Sequence, residues 1–86
     1  MFAETIPAKV ARVDPEEGLT GRVYDVTLEY DALRFSLPAS FRILKAELGA
    51  EMFRSIPSPL GRLNFQTFEE PRVKVGDWVE VVIRPA

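Results

Sequence analysis

The sequence predicts a mostly β domain with one helix, in the order β-β-β-α-β-β, folded as a five-stranded Greek-key barrel with the helix across one end. Three observations carry this expectation. Tyr24, Val26, Leu28 and Tyr30 alternate with polar residues in strict period two, the mark of a half-buried antiparallel strand. After Pro38 the period changes: Phe41, Leu44, Leu48 and Met52 are spaced by three, four and four, which places them on one side of a helix. Near the C-terminus, GDWVEVVI couples a Gly-Asp turn to Val79, Val81 and Ile83 on alternate positions.

The first strand is Ile6 to Asp14. Ile6, Ala8 and Val10 share a face and Val13 falls on the other, so a bulge between Val10 and Val13 is expected. Asp14-Pro15-Glu16-Glu17-Gly18 has the residues of a type I turn closed by a left-handed residue, and is read as the connection to the second strand. Asp31-Ala32 is a short turn into a third strand, in which Leu33, Phe35 and Leu37 alternate with Arg34 and Ser36. The helix spans Ala39 to about Arg54, although Gly49 within it costs about 1 kcal/mol relative to Ala. Ile56-Pro57-Ser58-Pro59 stops it, because proline cannot donate a backbone bond and holds the preceding residue extended. Leu63, Phe65 and Thr67 form a fourth strand with Phe68 on its outer parity, and Trp78 to Arg84 form the fifth.

Residues 1–86 are read as one domain: no repeat, low-complexity tract or linker interrupts them. Their composition excludes several chemistries. With no Cys there are no disulfides, thiolate zinc sites or cysteine nucleophiles, and with no His the commonest general base and most transition-metal sites go too. The paired acids Glu16-Glu17 and Glu69-Glu70 stand in turns beside proline, where solvated carboxylates are the expected filling. The acids lack calcium-loop spacing, and the glycines stand too far apart to cradle a phosphate. We therefore expect no enzyme, no metal and no cofactor. The N-terminal MFAETIPAKV lacks the cationic start and apolar run of a secretion signal, and no stretch reaches 18 apolar residues, so a cytoplasmic location without membrane insertion is expected.

The order of elements is that of the OB fold, and the terminal VKVGDWVEVVIRP resembles the closing strand of transport-associated OB domains, where a Gly-Asp turn precedes the last strand and an Ile-Arg-Pro-like ending follows. The same stretch resembles the last strand of single-stranded RNA-binding repeats of ribosomal-protein type. IPAKVARVD together with VKVGDWV is similar to the small hydrogenase-maturation chaperones, but Phe2 stands where those proteins have Cys. Ala3-Glu4-Thr5 likewise departs from the Ser-Ala-Arg-Asn type stretch of the oxyanion-binding transport-associated members. What these resemblances imply is a small binding barrel.

Three kinds of ligand follow. The leading expectation is a non-catalytic module that binds protein or itself through Phe68, Trp78, Val82 and Arg72, since aromatics with marginal arginines have the composition of an interface. That reading needs Val79, Val81 and Ile83 inside the barrel and Trp78 outside; the competing one has Trp78 covering a barrel mouth or packing near Phe2. The alternative is a single-stranded nucleic-acid binder using Arg62, Arg72, Lys74 and Trp78. The outer residues of the second and third strands, Arg22, Asp25, Thr27, Glu29, Arg34 and Ser36, include two acids and no aromatic, so the usual stacking platform is missing. The third is a small-anion site between two barrels, as the transport-associated resemblance implies.

Overall fold

The computed structural model describes residues 3–19, 21–38, 40–56 and 58–85. They form one barrel-shaped sheet of six antiparallel strands: β1 (Glu4–Gly18), β2 (Gly21–Glu29), β3 (Phe41–Ala46), β4 (Met52–Ile56), β5 (Arg62–Thr67) and β6 (Trp78–Pro85). The strands lie side by side in the order β3-β6-β1-β2-β5-β4, which leaves β3 and β4 as the two sheet edges.

β1 organises the sheet. Its first half pairs with β6, from Glu4 opposite Ile83 to Lys9 opposite Trp78, and its second half pairs with β2. The expected bulge is present, as the β1–β2 register shifts between Val10 and Arg12. The shift returns Val13 to the inward face opposite Val26. The turn expected at Asp14–Gly18 is not there. Those residues continue β1 as a ribbon, Pro15 opposite Tyr24 and Glu17 opposite Arg22, and the chain reverses between Gly18 and Gly21. β6 no longer flanks β1 at Pro15, so the missing N–H breaks no ladder bond on that side.

Two larger expectations are corrected. The first is the strand at Leu33–Leu37, which is a turn followed by irregular chain. Asp31 Oδ1 accepts hydrogen bonds from the Leu33 and Arg34 N–H groups, and Asp31 O accepts from Arg34 and Phe35. These local bonds take donors a sheet ladder would have used. Leu33 is consequently fully exposed, while Phe35 and Leu37 pack partly against the core.

The second correction is the helix. No helix occurs among the described residues; the segment is β3, a crossing turn at 47–51, and β4, so the strand count is six rather than five. Gly49 has φ +73, left-handed backbone that no helix interior contains. On β3, Ile43 faces inward opposite Ile83 and Ala46 opposite Val81, and a bulge at Leu44 keeps both on the core side. Leu44 itself turns out to solvent. The three-four-four spacing therefore arises from a bulged strand, a turn residue and the start of the next strand. Ala39 and Pro57, which bounded the expected helix and its stop, lie outside the described residues, as does Phe2.

The interior is filled by Ile6, Ala8 and Val10 of β1, Val26 and Leu28 of β2, Leu63 and Phe65 of β5, and Val79, Val81 and Ile83 of β6. Leu48, fully buried in the crossing turn, closes one end of the barrel in place of the helix. Its burial is worth about 2 kcal/mol. The Arg72 N–H donates to Leu48 O at 2.9 Å, which ties the loop before β6 beneath that turn.

Candidate binding surfaces

Strand order decides which surfaces exist. β3 pairs with β6 on one side only and β4 with β5 on one side only, so both carry an unpaired edge. The crossing turn 47–51 holds the two edges together at one end of the barrel. At the other end they diverge around a cleft of about 500 Å³. Tyr30, Leu37, Phe41, Ile43, Ile56 and Leu63 give it apolar walls, and Ser55, Asn64 and Arg62 supply polar groups. A second, smaller cleft of about 180 Å³ continues along the seam between Ile43 and Met52–Ser55. The seam thus joins apolar lining to backbone N–H and C=O groups that no described strand pairs.

β4 leads from the seam to an exposed aromatic pair. Its register with β5 shifts between Met52 and Arg54, and the bulged residue Phe53 stacks on Phe68, with ring centroids 3.9 Å apart and an interplanar angle of 12°. Phe53 and Phe68 remain 42% and 58% exposed. Beside them is a recess of about 300 Å³ lined by Glu51, Met52, Phe53, Phe68 and Glu69.

The outer wall of β1, β2 and β5 has a different character. Thr27 Oγ1 donates to Asn64 Oδ1 at 2.8 Å, and Gln66 Nε2 donates to Asp25 Oδ1 at 2.8 Å. Arg12 pairs with Asp14 and Arg62 reaches Glu29 at 4.0 Å. Glu16 is held above the usual glutamate range because it shares a hydrogen bond with the Asp25 carboxyl and is repelled by its charge. No aromatic stands among these described groups, and apart from the Glu16–Asp25 repulsion they pair with one another.

The expected site residues are dispersed. Trp78 does lie outside the barrel, 67% exposed and opposite Lys9, while Val79, Val81 and Ile83 point in. Val82, half-buried, shares the outer face of β6 with it, between Thr5 and Lys45. Phe68 is not beside Trp78: β1 and β2 separate β5 from β6. The Trp78 end of β6 aligns, through Lys9 and Glu29, with Arg62 at the start of β5, whereas Phe68 follows its end. Arg72 and Lys74 belong to the loop before β6, where Arg72 lies against Gly49 and the Lys74 N–H donates to Asp77 Oδ2 at 2.8 Å. Trp78 thus stands in line with Arg62 and beside the turn that holds Lys74, while Arg72 lies against Gly49.

Sequence reasoning missed the seam and the partner of Phe68. Phe41 and Ile43 alternate as strand residues do, and that was the available signal; the helical spacing across the same segment hid it.

The six-stranded barrel defines this chain as a small all-β protein, and among the described residues no cluster of acids could hold a metal and no helix is long and apolar enough to cross a membrane. No protein-family model, curated protein or solved structure matches the chain.

Proposed function

We propose that the protein is a non-catalytic binding module that takes an extended segment of a partner protein into the seam between β3 and β4. The observation that carries this reading is the pair of unpaired sheet edges facing each other across a cleft of about 500 Å³ with apolar walls and a few polar groups. An added strand would supply backbone partners to both edges and place alternate side chains against Phe41, Ile43, Ile56 and Leu63. In an antiparallel sheet of this order β3 and β4 run in opposite directions, so the guest is antiparallel to one and parallel to the other. A reading as an OB-type, transport-associated barrel is supported by the barrel shape and by the Gly76 turn before β6, and it too makes the molecule a binding module rather than an enzyme. The absence of Cys and His from the chain supports the same conclusion. A cytoplasmic location belongs to this proposal.

Selection of binders from a displayed library of unbiased peptides tests the reading, with bound peptides mapped by amide hydrogen exchange. Peptides that slow exchange along β3 and β4, and that are excluded when cysteines placed at Ile43 and Ser55 are bridged by a bifunctional thiol reagent, support it. Binders that map elsewhere, or that are indifferent to the bridge, refute it. Concentration-dependent protection of the same edges without peptide would identify a second copy of the chain as the occupant.

Single-stranded nucleic acid is the second reading. It is favoured by exposed Trp78 opposite Lys9, and by Arg42 opposite Arg84 on the same outer side, neither arginine forming an ion pair among the described residues. Quenching of Trp78 fluorescence by single-stranded oligonucleotides, weakening steeply with salt, would establish it.

A further inference from the structure

We infer that the Phe53–Phe68 stack is a docking point for an arginine side chain, carried by the polypeptide segment that enters the seam; the inference rests on the seam reading and names the chemistry of its guest. Phe53 and Phe68 stack at 3.9 Å and still keep 42% and 58% of their surface exposed. Such a pair contributes little as core, yet it is held in place by two strands: Phe53 by the β4 bulge and Phe68 by the end of β5. Glu69 is held as well, since Thr67 Oγ1 donates to its backbone oxygen at 2.7 Å.

The charge around the rings selects the ligand. Glu51 and Glu69 line the recess beside the stack, and neither forms an ion pair among the described residues. Arg54 and Arg72, close by in sequence, pair with neither. An apolar guest covering the recess would strip water from two carboxylates and give nothing back. A cation reverses that balance, because the faces of both rings attract positive charge. Guanidinium fits better than ammonium: it is planar, lies flat on a phenyl face and presents a fork of donors to a carboxylate. The stack is also contiguous with the seam. Met52 and Phe53 line both the cleft toward Ile43 and the recess beside Phe68, so a strand lying on the β4 edge has one side chain within reach of the rings.

Two measurements test the inference separately from the seam reading. In the first, N-acetyl-arginine amide is titrated into the protein and the ring protons of Phe53 and Phe68 are followed by NMR, with the neutral isostere N-acetyl-citrulline amide as control. Shifts with arginine alone, abolished in Glu69→Gln and Phe68→Ala, are expected; Phe68→Leu serves if Phe68→Ala does not fold. Equal shifts with citrulline, or none with either probe, overturn the inference. In the second, a seam-binding peptide from the library is remade with citrulline in place of its arginine. A loss of about tenfold in affinity is expected in the native protein, and none in Phe68→Ala. Seam binders without a basic residue overturn the arginine site and leave the seam standing. Arginine shifts at the rings without any seam binder do the reverse.

Discussion

Single residues carry consequences that can be checked one at a time. Gly49 combines φ +73 with a close approach: an added Cβ would stand 2.5 Å from Arg72 Cβ and 3.1 Å from its backbone nitrogen. Neither neighbour can move without losing the bond to Leu48 O. Gly49→Ala should therefore destabilise by on the order of 2–4 kcal/mol, read from the urea midpoint; an unchanged midpoint would mean the crossing turn is built otherwise. Glu16 offers the opposite sign. Its carboxyl is raised from an ordinary value of 4.5 by Asp25, so the folded state favours the protonated form. The resulting stability is present below the unfolded value and is lost as pH rises through the folded one. Glu16→Gln keeps a hydrogen-bond donor toward Asp25 and removes the repulsion. It should unfold at a slightly higher temperature than the native protein at neutral pH, and the gap should close in acid. A gap that persists or widens below the ordinary glutamate range would reject this origin.

At the level of elements, the decisive question is whether 39–54 is strand or helix. A helix turns Leu44 inward with Phe41, Leu48 and Met52, whereas the bulged β3 turns Leu44 outward and Ile43 inward. Leu44→Lys should then change stability by less than about 0.5 kcal/mol, and Ile43→Lys should cost about 1–3 kcal/mol. The reverse ranking in chemical denaturation would restore the helix. The helical pattern was legible and misleading for a physical reason. A strand bulge and a tight turn each displace the apolar residues from period two, and together they reproduce a spacing near 3.6. The irregular segment after Asp31 has a similar origin: its alternation is real, but an aspartate that satisfies the next backbone donors locally leaves the chain no reason to join a sheet. Where such competition is absent, as in β2, β5 and β6, alternation and element coincide.

The whole molecule adds what no element shows, an opening in an otherwise continuous wall. Amide exchange should divide the strands accordingly. Amides of β1, β2, β5 and β6 that bond within the sheet should be protected to near the global unfolding free energy, and those on the free edges of β3 and β4 should exchange early. Uniform protection of β3 and β4 would mean that the seam closes on itself or is filled. Trp78 reports independently, being the only indole. At two-thirds exposure its native emission should be that of a solvated indole and should move little on unfolding. Blue-shifted emission in dilute protein would show that something covers the outer face of β6.

The sequence alone determined the inward row Val79, Val81 and Ile83, the bulge in β1 and the lack of cysteine and histidine chemistry. All of these follow from near-neighbour alternation or from composition. Tertiary structure decided the rest. It paired β3 with β6 rather than coiling it, left Trp78 exposed on the outer face of β6 with two strands between it and Phe68, stacked Phe68 on Phe53 instead, and left two edges facing across a cleft. Such features depend on which distant strands share hydrogen bonds, and side-chain period along one segment holds no record of that pairing.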